Sequence, residues 1–199
     1  MELIGNLNRP KVLVIGVFHG DEPQGKFLIE KYYETHKNTN LLLLPCLNET
    51  GYQKGTRKNS NGVDLNRNFP TKNWELTNIE DDYFGGNSPA SEEETKFVVN
   101  VVEKYSPKLI LTLHAPYKIV NYDGGEDARV ISEKISGIIG YPVEKNIGYP
   151  TPGSFGTWAG IERKIPTITL ELDETVDVEK LVEPVFKVFE MLEAEYGKD

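Results

Sequence analysis

The sequence predicts an α/β fold, a three-layer α/β/α sandwich around a mostly parallel, mixed sheet. Three observations predict it. Short apolar runs rich in branched residues recur along the chain, segments with helical periodicity fall between several of them, and one long polar stretch breaks the alternation. Strands linked through helices lie parallel, which brings their carboxyl ends to one edge of the sheet, where open α/β sheets bind ligands.

The elements follow in chain order. Val12 to Val17 is a continuous apolar run ending at His19-Gly20, the pattern of a buried strand that delivers His19 at its carboxyl end. Glu22 to Tyr33 reads as a helix, and Leu41 to Leu44 as a second strand. Residues 48–89, dense in Gly, Asn, Asp and Pro, form a long irregular segment of the kind that is usually functional. Ser91 ahead of Glu92, Glu93 and Glu94 resembles a capped helix start, giving a helix over 91–105. Leu109 to Leu113 and Thr167 to Leu172 repeat the strand signature. Val178, Leu181, Val182, Val185, Phe186, Phe189 and Leu192 make one apolar helical face, in which Pro184 demands either a kink or a helix starting at Glu183.

The chain of 199 residues is long enough for one domain with one core, residues 1–199, and its 38% apolar and 27% charged composition is that of a globular protein. A formal net charge of −9, with no cluster of basic and aromatic residues, argues against a nucleic-acid partner. No run reaches the ~20 apolar residues needed to span a bilayer, and no signal peptide is present, so a cytoplasmic protein with no membrane partner is expected. No feature requires an obligate protein partner. The lone cysteine, Cys46, follows an apolar run and reads as a buried, inert thiol.

His19 and Glu22 stand three residues apart at a strand-to-helix turn, where both side chains can converge on one point. By itself that spacing is also compatible with a simple turn. His114, at the end of Leu111-Thr112-Leu113, adds a third donor at the same sheet edge. Two histidines and one glutamate are a catalytic zinc set that leaves a position for water. His36, at a polar helix end, reads as solvated. Asp64 is a candidate to accept the second ring proton of a metal-bound histidine, or else an acid closing a turn. Arg67 can grip a carboxylate and Asn66 can add a neutral donor, although a loop arginine is commonly a solvated charge. Arg57 can face an oxygen that gains charge, or simply lie on the surface. Glu171 puts a carboxylate in a strand pattern, where it serves either as a general base or as an edge residue facing solvent.

In order, His19-x-x-Glu22, Arg57, Asp64-Leu-Asn66-Arg67-Asn68, His114 and Thr169-Leu-Glu171-Leu resemble the signature of the zinc metallocarboxypeptidase family. The resemblance implies a zinc carboxypeptidase-like fold and one zinc ion per chain on His19, Glu22 and His114. It also implies that Asn66 and Arg67 hold a terminal carboxylate, Arg57 polarises the scissile carbonyl, and Glu171 is the base. Tyr149 matches the mobile tyrosine that closes over substrate in that family. The loop Gly148-Tyr149-Pro150-Thr151-Pro152-Gly153-Ser154-Phe155-Gly156-Thr157-Trp158-Ala159 is similar to that of murein peptide amidases, small members that cleave between γ-D-glutamate and meso-diaminopimelate. A small murein tripeptide or related cell-wall peptide is thus the implied substrate. Ala115-Pro116 departs from the serine and tyrosine of many digestive members, so their side-chain specificity does not carry over.

Two other readings remain open on these residues. Aspartoacylase-like and succinylglutamate desuccinylase-like N-acyl amino acid deacylases share the His-x-x-Glu and Asp-Leu-Asn-Arg elements, but usually add a C-terminal β domain where residues 173–199 here read as a helix. A non-catalytic muropeptide-binding module would keep the pocket and has no evident need for Glu171.

Overall fold

The computed structural model describes residues 1–145 and 148–197. Seven strands form one mixed sheet: β1 (Ile4–Gly5), β2 (Val12–Gly16), β3 (Leu42–Leu44), β4 (Leu109–His114), β5 (Ile119–Asp123), β6 (Val143–Glu144) and β7 (Thr167–Glu171). Their spatial order is β1-β3-β2-β4-β7-β5-β6. The pairs β3-β2, β2-β4, β4-β7 and β5-β6 are parallel, whereas β1 and β5 run antiparallel to β3 and β7. The sheet is therefore mostly parallel, as the sequence predicts.

Helices cover both faces. On one side, α1 (Gln24–Thr35), α4 (Glu126–Ile139) and α5 (Glu179–Tyr196) bury Leu28, Ile131, Val185 and Phe189 against Val12, Val14 and Leu111. On the other, α3 (Glu93–Tyr105) buries Val98 and Val102 together with Leu13, Ile15, Ile110, Phe155 and Trp158. Successive residues of β2 thus feed opposite cores, which is why its sequence is apolar without alternation. Among the described residues no helix is long and apolar enough to cross a membrane.

Several local expectations change. The cap of α3 is Glu92, in extended conformation and without a side-chain cap bond. Ser91 instead donates to Glu92 and accepts from the Asn68 amide. Pro184 lies inside α5, which starts at Glu179 and not at Glu183. The bond that Pro184 cannot make would reach the carbonyl of Lys180, an exposed first-turn residue that water can satisfy, and the burial of Leu181 and Val185 outweighs it. His36 is half-buried, its ring stacked 4.1 Å from Tyr32 at the end of α1, and is not simply solvated. Cys46 is buried and its thiol is pushed up to about 12, chiefly by burial, in keeping with an inert side chain.

Candidate active site

The carboxyl ends of β2, β4 and β7 meet at one edge of the sheet, and parallel pairing sets His114 directly beside Glu171. The turn after β2 is tightly constrained. Val17 has a φ of 54°, an outlier for a β-branched residue of the type that concentrates at functional sites. Gly20 is required by close approach, because a Cβ there would lie 2.0 Å from the backbone of Gly51 in α2 (Glu49–Lys54). Asn48, fully buried, caps α2 and donates to the carbonyls of Phe18 and Arg57 at 3.2 and 3.1 Å. One side chain so ties the His19 turn to the Arg57 loop. The sequence reading missed this role, although Asn48 before Glu49-Thr50 carries the signal of a helix cap.

His19 and His114 each present Nδ1 to the Glu22 carboxylate, at 2.7 Å to Oε1 and 2.9 Å to Oε2. The amide of Ala115 donates to Glu22 Oε2 at 3.2 Å, and the Phe18 ring stacks on His114 at 5.2 Å. One ligand atom from each of His19, Glu22 and His114 lies within 4.8 Å of the others, and all three residues are buried. Two imidazoles and a carboxylate converging in this way fit a catalytic zinc ion. On its far side, His19 Nε2 faces Asp64 Oδ1 at 3.2 Å. A carboxylate there places the ring proton on Nε2 and leaves Nδ1 as the free donor atom.

Asp64 is fully buried and accepts three further bonds: from the amide of Asn66 at 2.9 Å, and from Arg57 Nε and Nη2 at 3.0 and 2.8 Å. Burial alone would raise its pKa, but His19 and Arg57 overcome that and hold the carboxyl well below its usual range. Glu22 is likewise held low, the two histidines outweighing burial. Burial opposes a charge on His19, yet Glu22 and Asp64 bring its pKa up to about 9.

Eight of the nine residues singled out in the sequence line one cavity of about 260 Å³, and the ninth, Asp64, is buried behind it. Arg57 reaches to 3.8 Å from Glu22. Arg67 is 5% exposed and, among the described residues, makes no ion pair; its Nη1 donates only to the Asn66 carbonyl, at 2.7 Å. A buried cation without a counter-ion is costly unless a ligand completes it. The Asn66 side-chain oxygen accepts from the amide of Phe155 at 2.9 Å, so its NH₂ group is the part free for a ligand. Glu171 is 6% exposed, and its Oε2 has no hydrogen-bond partner. Burial above all raises its pKa, with Glu22 adding to the effect and the histidines opposing it.

Tyr149 is exposed at the mouth of the cavity. Facing it is Tyr83, which the sequence reading did not single out. Its ring lies 5.2 Å from each of the Arg57 and Arg67 guanidiniums and 6.1 Å from the Tyr149 ring. An aromatic residue in an irregular loop carried no periodic signal that would have marked it. A larger hollow of about 830 Å³ lies around Val12 and Leu192, away from this chemistry.

A family model described as zinc carboxypeptidase matches residues 4–136, a stretch that holds the three metal-site residues, Arg57, Asp64, Asn66 and Arg67. Murein peptide amidase A of Escherichia coli (strain K12) is 31% identical over 168 residues, covering 76% of this chain and 66% of that protein. Murein peptide amidase A of Vibrio campbellii (strain ATCC BAA-1116) is 34% identical over 137 residues, 63% of this chain and 54% of that protein. The matches thus span less than two thirds of those relatives' own lengths. Among solved structures, murein-tripeptide amidase MpaA from Escherichia coli O157 superposes with a TM-score of 0.81 at 26% identity, covering 93% of this chain and 81% of that one. Carboxypeptidase A from Helicoverpa armigera, at 20% identity and a TM-score of 0.72 over 96% of this chain and 63% of that one, shares the fold. The chain belongs to the zinc carboxypeptidase family of hydrolases.

Proposed function

We propose that residues 1–199 form one catalytic domain that hydrolyses the γ-D-glutamyl–meso-diaminopimelate amide of murein peptides. The observation that carries this reading is a pair of buried, incomplete charged groups flanking the metal site: the unpartnered Oε2 of Glu171 and the guanidinium of Arg67, which makes no ion pair among the described residues. The similarity to proteins named murein peptide amidase A and murein-tripeptide amidase supplies the substrate class. One zinc ion per chain would be held by His19, Glu22 and His114 and would supply the Lewis acidity that polarises an amide carbonyl and makes water nucleophilic at neutral pH.

The protein's own groups do the rest. Glu171 takes the proton of the attacking water on its free oxygen and passes it to the leaving nitrogen, a role that its raised pKa favours. Arg57 faces the carbonyl oxygen as it gains charge. Arg67, the Asn66 amide and Tyr149 hold the carboxylate of the residue on the leaving side. Asp64 fixes the His19 ring and the Arg57 guanidinium together. The same reading keeps a cytoplasmic setting and a small peptide substrate.

Mass spectrometry of zinc-loaded protein incubated with L-Ala-γ-D-Glu-meso-diaminopimelate tests this. Release of L-Ala-D-Glu and free diaminopimelate is expected; an intact tripeptide beside cleavage of an acetyl- or succinyl-amino acid would replace the amidase with a deacylase. Glu171→Gln is expected to keep stoichiometric zinc and lose ~10²- to 10⁴-fold in kcat, the range for a general acid–base group. Near-normal turnover with metal bound would remove Glu171 from the mechanism.

A further inference from the structure

Strand order constrains the link between β4 and β5. Because β7 lies between them, the link must cross the carboxyl end of β7, and it does so in four residues, Ala115-Pro116-Tyr117-Lys118. β7 ends on Glu171, whose two strand partners are His114, the residue before the link, and Ile119, the residue after it. The link is thus a strap drawn over the proposed base.

Its parts touch the chemistry directly. Ala115 is buried, and its amide donates to the metal-site carboxylate of Glu22 at 3.2 Å. Burial raises the Glu171 pKa above all, and the Tyr117 amide, facing that carboxylate, opposes the rise. Just beyond Glu171, the Leu172 amide donates to the His114 carbonyl at 2.7 Å. One short segment therefore relates Glu22 to Glu171.

The far end of the strap is under restraint. Lys118 has a φ of 54°, in the left-handed region that a residue with a long side chain adopts only at a cost. Its ammonium pairs with Asp173 Oδ2 at 3.1 Å, two residues after Glu171. Asp173 is itself fixed, its Oδ1 accepting from the Thr175 amide at 2.8 Å and from the Thr175 hydroxyl at 2.6 Å. The pair joins the strap to the segment leaving β7 and so closes a ring of contacts around Glu171. With the lysine side chain 50% exposed, the pair is worth little as a stabilising contact, and its consequence lies in what it holds.

We infer that Lys118 and Asp173 are positioning residues, a buckle that keeps the strap over Glu171 and the base in register with the metal site. Neither lines the cavity at the metal site, so neither acts by touching substrate. The inference rests on the proposed role of Glu171 as base, but not on which amide is cleaved.

A double-mutant cycle in the zinc-loaded full chain tests it. Lys118→Met and Asp173→Asn are each expected to lower kcat about three- to tenfold with KM and zinc affinity within about twofold of wild type, whereas Lys118→Arg, which keeps the pair, stays within about twofold in kcat. Placed in Glu171→Gln, the same substitutions should change the residual rate by less than about 1.5-fold, because no base is left to misplace. Equal losses in both backgrounds, a loss carried by KM or by zinc, or wild-type kcat in both single variants overturns the inference. Hydrogen exchange over residues 115–119 reads the strap without turnover. Exchange at least about tenfold faster in both single variants is expected, and unchanged exchange overturns the inference whatever the rates. A chain that cleaves acetyl- or succinyl-amino acids in place of the murein tripeptide sinks the amidase reading alone, and the cycle is then read on those amides. Tripeptide cleaved at the wild-type rate by both single variants keeps the amidase reading and sinks this one.

Discussion

Replacing Asp64 by asparagine removes one charge from the position on which most of the site depends, and its consequences can be sized from four hydrogen bonds. Oδ1 accepts from His19 Nε2 and the Asn66 amide, and Oδ2 accepts twice from Arg57. An asparagine that keeps its oxygen at the first position turns an NH₂ group toward the guanidinium. Two hydrogen bonds to a charged group are then lost, each worth about 1.5–3 kcal/mol. Arg57 is 27% exposed and can turn to water, which places the net loss near 2–3 kcal/mol. At about 2–4 °C per kcal/mol for a chain of this size, Tm should fall by about 4–12 °C. His19 would lose the charge that fixes its proton on Nε2, and loss of such a partner costs about 10- to 100-fold in metal affinity. Competition for zinc against a chromophoric chelator and a melt of the metal-free protein measure the two effects separately. An Asp64→Asn protein that binds zinc within twofold of wild type and melts within about 1 °C of it would refute the assignment of Asp64 as the group that orients His19.

The metal-free protein should lose stability on the alkaline side. The His19 pKa rises from 6.5 to about 9 on folding, so its contribution is complete below pH 6.5 and is lost as pH climbs through 9. Glu22 and Asp64 are shifted the other way, so their contribution is present above the ordinary carboxylate range and disappears in acid. Tm of chelator-treated protein should therefore decline between pH 6.5 and 9, and zinc should abolish the decline; equal slopes with and without zinc would count against metal and proton sharing His19. Gly20→Ala drives a Cβ into the backbone of Gly51, an overpacking worth about 1–3 kcal/mol, and should weaken zinc binding by displacing His19; unchanged melting and affinity would show that the turn relaxes freely. Tyr83→Leu removes two cation–π contacts of about 0.5–1 kcal/mol each and should raise KM about five- to thirtyfold with kcat little changed, while Tyr83→Phe behaves as wild type. A drop in kcat alone would assign Tyr83 a different role.

Legibility in the sequence followed a physical divide. The central strands were readable because burial on both faces makes their pattern continuously apolar, and His19, His114 and Glu171 were readable because polar residues ending such runs demand a reason. The short strands β1 and β6 and the helix α4 were not singled out. Two-residue strands have no periodicity to detect, and the apolar face of α4 lies among many polar residues. Arg57 and Arg67 looked locally like surface charges. Asp64 and Tyr83 account for the difference, and both partnerships are set by tertiary contacts within an irregular segment. Pro184 lies within α5, so a helix start at Glu183 gives way, because burial of Leu181 and Val185 outweighs the one hydrogen bond that the proline cannot make.

On the proposed reading, the site's charges let an acidic protein take up a carboxylate. The chain carries a net −9, and its mean field repels an anionic peptide. Near the metal centre the buried carboxylates of Glu22 and Asp64 are already committed to the two histidines and Arg57, whereas Arg67 makes no ion pair among the described residues. What the cavity offers a carboxylate is therefore Arg67. Selectivity then arises from the charges left unmet by the wrong ligand, and salt should weaken discrimination less than it weakens capture, because screening acts mainly on the exposed groups.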